Sequence, residues 1–185
     1  MEWLHCDGRR REVSIWGDWL ARVPGIRDKF VKTINYDPFF YNETASVGVL
    51  ANAASQSGLL ALSEYSATKR GNGRGRPHRQ GRCDLWVANP NADISWSFEF
   101  KQLFCRPNVQ ETTIDAALRR ACEDARAVHP LEADLCFGGV FVSAYITGSL
   151  SERAVEGITA VANNSTFACR IDGGQRPVYL ILQEQ

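Results

Sequence analysis

The clearest periodicity in the chain lies at residues 113–128. Ile114, Ala117, Leu118, Ala121, Cys122, Ala125 and Val128 recur at i, i+3, i+4 and i+7, which predicts an amphipathic helix. Thr112 with Asp115 resembles a capping box, and Pro130 follows the end. A stripe of Val47, Leu50, Ala51 and Ala54 predicts a small-residue helix over 43–57, capped by Asn42 and stopped at Gly58. Between these helices the period changes to two. Strands are predicted over 59–68, 83–88 and 94–103, with a turn at 89–93. In the last strand Ile94, Trp96, Phe98 and Phe100 face one way, and Ser95, Ser97, Glu99 and Lys101 the other. Residues 135–146 are nearly all apolar, as in a central strand covered on both faces. A helix over 149–162, opened by Ser149 and Glu152, and strands over 166–171 and 178–183 complete this part. Residues 1–40 read as an N-terminal helical arm packed on the core. There Trp16, Trp19, Leu20 and Val23 share a face, Pro24-Gly25 stops the helix, and Tyr36-Asp37-Pro38 marks a turn. The order of elements predicts an α/β protein, a three-layer sandwich with a central mixed sheet flanked by helices. Residues 41–185 form the main domain of what reads as one globular unit.

Composition narrows the class. A chain of 185 residues with 44% hydrophobic and 23% charged residues is sized for one domain with its own core, which excludes a disordered chain. No apolar run reaches the ~18 residues of a membrane span, and the N-terminus lacks the apolar stretch of a signal peptide. The expectation is a cytoplasmic protein with no membrane partner. The six cysteines are irregularly spaced with no CxxC pair, so they read as reduced thiols rather than a zinc ribbon. His5-Cys6 lacks the partners a metal would need.

Twenty-one basic residues balance 21 acidic ones, so any attraction to nucleic acid must be local. The local source is GNGRGRPHRQGR, residues 71–82, which its Gly, Pro and Arg content predicts to be a long mobile loop. Lys69 to Arg82 hold six basic residues and no acid. Arg70, Arg74, Arg76, Arg79 and Arg82 are therefore candidate substrate contacts, against the simpler reading of a soluble connector. Arg82, two residues before Asp84, is placed nearest the candidate chemistry.

Glu99 and Lys101 share one face of a strand. If 88 pairs with 95 across the turn, Asp84 falls opposite Glu99. Two carboxylates are hard ligands suited to Mg²⁺, and a neighbouring lysine can orient water and stabilise charge on phosphorus. A solvated ion pair is the plain alternative for Glu99 and Lys101. No Ser or Cys nucleophile has an evident base partner, and no GxxxxGK[ST] loop exists.

CDLWV followed by FEFKQ resembles the PD-(D/E)XK nuclease superfamily, the restriction-endonuclease-like fold, over residues 43 to 147. Cys83 stands where Pro is usual. The resemblance implies a nuclease that hydrolyses phosphodiester bonds, DNA in preference to RNA, with Mg²⁺ as cofactor and Mn²⁺ as a substitute. It assigns metal ligation to Asp84, Glu99 and the backbone carbonyl of Phe100, and water activation to Lys101. Glu43 is the expected supporting acid, with Glu64 its competitor, and Gln102 is a further candidate for phosphate contact. Sequence recognition would call for a homodimer, a partner subunit or a loop, with the N-terminal arm as a candidate dimer interface. The alternative is a catalytically silent module of the same fold that binds or inhibits within a nucleic-acid or defence complex.

Overall fold

Alternation along the central strands sets the architecture, because each strand presents one apolar row to either side. The computed structural model describes residues 1–73, 75–91, 93–145 and 149–185, with Asn72 and Arg76 by backbone alone. The strands are β1 (Glu2–Cys6), β2 (Leu60–Gly73), β3 (Arg76–Ala88), β4 (Ser95–Cys105), β5 (Leu135–Ala144), β6 (Phe167–Ile171) and β7 (Val178–Glu184). They form one mixed sheet in the order β1-β6-β7-β5-β4-β3-β2, in which β4 and β5 alone among these pairs run parallel. The crossover between β4 and β5 is α4 (Glu111–Ala127), as a parallel connection requires.

One face packs on α1 (Arg11–Ala21), α2 (Val23–Ile34) and α3 (Glu43–Gln56). It gathers Trp96, Phe98 and Phe100 of β4 with Phe137 and Phe141 of β5. Trp16 lies at its centre, its ring 5.0 Å from that of Phe137 and 4.8 Å from that of Phe167. The other face packs on α4 and α5 (Glu152–Asn163) through Val140, Val142, Ala168 and Ile181. The molecule is thus an α/β protein with a seven-stranded mixed sheet and helices on both faces. Among the described residues no helix is long and apolar enough to cross a membrane.

Gly138 sets the distance of α4 from the sheet. A Cβ there would stand 2.4 Å from the Cys122 backbone nitrogen and 2.6 Å from its Cα. These are backbone atoms of a helix, so they cannot swing aside. Gly138→Ala is expected to destabilise the fold by about 1–3 kcal/mol through overpacking, read as a lower midpoint of urea unfolding at unchanged m-value. An unchanged midpoint would refute the close approach.

Several sequence expectations are corrected. The N-terminal arm is not wholly helical: β1 pairs antiparallel with β6. Its helices do pack on the sheet, with Trp16 and Trp19 buried in the main core. Pro24 belongs to the start of α2, where a missing N–H costs nothing, so it opens a second helix as the first ends at Ala21. Asn42 caps α3 as expected, its side chain accepting from Ala45 N at 2.8 Å. Ser151, not Ser149, caps α5, and α4 starts at Glu111 without a side-chain cap from Thr112. The predicted strand 135–146 ends at Ala144, and Ile146 lies outside the described residues.

The largest correction concerns residues 71–82. Rather than a loop, residues 71–73 and 76–82 form the far end of a two-stranded ribbon, with Lys69 opposite Arg79, Arg70 opposite His78 and Gly73 opposite Arg76. Gly75, at φ +78°, supplies the left-handed turn. Pro77 falls where the register shifts, so its missing N–H breaks no rung.

Candidate functional site

The register between β3 and β4 is the one the turn implied: Ala88 pairs with Ser95 and Leu85 with Phe98. Beyond Leu85 the two strands part. Their divergence leaves backbone N–H groups of β4 without a strand partner on that edge, and carboxylates supply the missing acceptors. Asp84 Oδ2 accepts from Phe100 N at 2.6 Å, and Glu43 Oε2 accepts from Gln102 N at 3.0 Å. Because N–H and C=O of one strand residue point the same way, the Phe100 carbonyl lies on this same edge. Asp84 Oδ1 and Glu43 Oε1 accept no hydrogen bond among the described residues. The helix cap at Asn42 aims Glu43 into this fork from one side of the sheet, and the β3 strand brings Asp84 from its edge.

Glu99 and Lys101 stand on the α4 face of β4. Glu99 is buried, 4% exposed, and its Oε1 accepts from Lys69 Nζ at 2.6 Å. Lys101 is half-buried and its Nζ lies 2.6 Å from Asp124 Oδ2 on α4. Burial raises the carboxyl pKa of Asp84, Glu43 and Glu99 alike. Repulsion from Asp84 adds to the rise at Glu43 and Glu99, and Glu64 adds to it at Asp84. Burial acts to lower the Lys101 pKa, but Asp124, Glu43 and Asp84 outweigh it and raise the value. Lys101 is therefore held as an ammonium beside these acids, a source of positive charge and N–H donors.

Glu64 is opposite Asp84 in the ribbon register and adopts φ +52°, a left-handed conformation that costs a non-glycine residue about 1–3 kcal/mol. Its carboxylate takes Thr44 Oγ1 at 3.3 Å and Arg82 Nε at 3.5 Å. The ribbon lies over the end of α4, where Lys69 bridges to Val128. Its inner side holds Ala67 and Cys83 against Val128, while Arg70, His78, Arg79, Gln80 and Arg82 are exposed. Of the basic residues anticipated as substrate contacts, Arg70, Arg79 and Arg82 are thus on the surface. Arg76 is placed by its backbone only, and Arg74 lies outside the described residues.

Gln102 is turned away from Lys101, to the α3 side. Its amide bonds Ser46 Oγ at 2.8 Å, Phe39 O at 3.3 Å and Ser143 Oγ at 3.2 Å. It braces α3 and the Pro38–Phe40 turn against β4 and β5, which sets where Glu43 enters the fork. Trp86 donates its indole N–H to Glu132 O at 3.1 Å, so it packs on the segment after α4. Burial, then the Glu99 charge, pushes the Cys83 thiol up to about 12, so no thiolate nucleophile competes for a role. All six cysteines are free.

The donor set suits a hard divalent ion: carboxylate oxygens and a strand carbonyl, the acids being ones whose pKa values burial raises and an added cation would lower. Asp84, Glu99 and the Phe100 carbonyl would hold such an ion. Among the described residues, however, no three His, Cys, Asp or Glu side chains come close enough together to form a ready-made metal site. Lys69 supplies the positive charge at Glu99 instead. Lys69 and Asp124 were not singled out from the sequence. One signal was present: the chain has only 4 lysines against 17 arginines, and two of the four meet these acids. In comparison with known proteins, no family model, no curated protein and no solved structure matches this chain.

Proposed function

We propose that this protein is a Mg²⁺-dependent nuclease of restriction-endonuclease-like architecture that hydrolyses phosphodiester bonds. The observation that carries the reading is the fork between β3 and β4. Two carboxylates cap successive free amides of one strand edge there, and that strand carries the acid and the lysine on its adjoining face. Mg²⁺, or Mn²⁺ in its place, would supply Lewis-acid polarisation of a phosphate and a water of lowered pKa. The chain's own residues do the rest. Asp84 and Glu99 concentrate negative charge for the ion, Glu43 supports it from α3, and Lys101 offers N–H donors and positive charge to a phosphorane as it forms. Arg70, Arg79 and Arg82 draw a polyanion along the ribbon toward the fork. DNA is favoured over RNA by the likeness of CDLWV and FEFKQ to the nuclease superfamily. Specificity would come from the ribbon, a partner subunit or a second copy of the chain.

The test is cleavage of plasmid, single-stranded DNA and RNA with Mg²⁺, with Mn²⁺ and with chelator. We expect cleavage with either metal, none with chelator, and faster turnover of DNA. A second reading, a catalytically silent module that binds nucleic acid or a protein of a defence complex, is favoured by the Lys69–Glu99 pair, which neutralises the acid without a metal. Metal-independent retention of DNA with no cleavage under any condition would select it.

A further inference from the structure

We propose that Lys69 is a resident cation of the site, which competes with the divalent ion for Glu99 and must leave before Glu99 can ligate. The inference rests on the reading of Glu99 as a metal ligand and concerns how that ligand becomes available. The Lys69 ammonium is 2.6 Å from Glu99 Oε1, in the place where a cation would bring its charge. Both residues are buried, Lys69 at 7% and Glu99 at 4% exposure. An ion pair of this kind is a strong competitor, because removing either charge leaves the other unpaired out of water.

The path of the side chain is built for this contact. The Lys69 stem crosses Gly81 of the facing strand, where a Cβ would stand 3.0 Å from Lys69 Cδ and 3.4 Å from Cγ. The lane fits a slender alkyl chain ending in a point charge, for which the planar fork of arginine is a poor substitute. Its neighbour Arg70 is exposed.

The contact can also be undone. Two backbone contacts fasten the free edge of β2 around Lys69: Thr68 N to Glu132 Oε1 at 2.7 Å, and His129 N to Thr68 O at 2.9 Å, which sets Lys69 opposite Val128. The His78 ring rests on that of His129 at 4.9 Å. At the other end Glu64 adopts a strained, left-handed backbone. Beyond Leu85 the ribbon has no pairing with β4. Withdrawing Lys69 from Glu99 requires these contacts, and the packing of Ala67 and Cys83 on Val128, to open together.

Mn²⁺ binding to the full chain, followed by titration calorimetry without nucleic acid, tests the proposal. Lys69→Met is expected to bind Mn²⁺ about 10–100-fold more tightly than the wild type, the worth of a hydrogen bond between charged groups. Lys69→Gln keeps an N–H donor for Glu99 without the charge and guards against misfolding of the methionine variant; it should bind at least about tenfold more tightly. Adding Glu99→Gln to either variant should erase the gain. Asp84-dependent Mn²⁺ binding in the wild type with unchanged affinity in both Lys69 variants would overturn the competition and leave the metal site standing. Absence of Mn²⁺ binding in every variant would overturn both.

Discussion

Lys101→Met should lower the rate of phosphodiester cleavage by about 10²–10³-fold, the usual effect of removing one group that meets charge as it develops in a transition state. Methionine keeps the length and apolar stem, so the change isolates the ammonium. The amine lies beside Asp124 and in the field of Glu43 and Asp84, all of which hold it charged. The loss should therefore fall on turnover, with DNA retention changed only a few-fold. The fold should hardly notice. The Lys101 and Asp124 side chains are 33% and 49% exposed, so Asp124 regains water and the pair contributes about 1 kcal/mol or less. A parallel variant, Asp84→Asn, keeps a carbonyl oxygen for Phe100 N while removing the charge, and should lose activity to a similar degree. Turnover within twofold of wild type for both variants would place the chemistry elsewhere.

Arg27→Met should cost about 3–5 kcal/mol of folding stability, the range found when one member of a buried ion pair is removed. Arg27 is 0% exposed and Asp37 2%. The guanidinium meets both Asp37 oxygens, Nη2 to Oδ2 at 2.6 Å and Nε to Oδ1 at 3.3 Å. It also donates to the carbonyls of Ile171 at 2.8 Å, Asp172 at 3.0 Å and Arg176 at 2.7 Å. One side chain thus fastens α2 to the Asp37 turn and to the β6–β7 hairpin. Gly174 completes the fit, since a Cβ there would come within 2.2 Å of Asp37 Oδ2. The substitution leaves Asp37 charged and buried and three carbonyls short of a donor. Against a typical total of about 5–15 kcal/mol this is a large share, visible in equilibrium urea unfolding. The double variant Arg27→Met with Asp37→Asn should recover part of the loss by removing the stranded charge. A loss below about 1 kcal/mol would show that the network is not held together by the guanidinium.

The activity and the stability predictions differ in how far sequence alone could reach them. The face shared by Glu99 and Lys101 follows from strand alternation, and the pairing of Ala88 with Ser95 from a short turn, so Asp84 arrives near them by local rules. The stripe on α4 and the cap at Asn42 are local in the same sense. Each of these is written within a span of some twenty residues, because backbone geometry repeats every 2 or 3.6 positions and needs no distant partner.

What the sequence did not carry depends on neighbours far along the chain. β1 is a strand only because β6, from the far end of the chain, lies beside it: Glu2 faces Arg170 and Trp3 faces Cys169. The arginine-rich segment has loop composition, yet cross-strand hydrogen bonds and the turn at Gly75 hold it as a ribbon. Lys69 reaches Glu99, Asp124 reaches Lys101 and Arg27 reaches Asp37 and the β6–β7 hairpin only once the layers have packed. Periodicity fixes which way a side chain points from its own strand or helix. Which charge it then meets is decided by the packing of elements that have no common period, and that belongs to the tertiary structure.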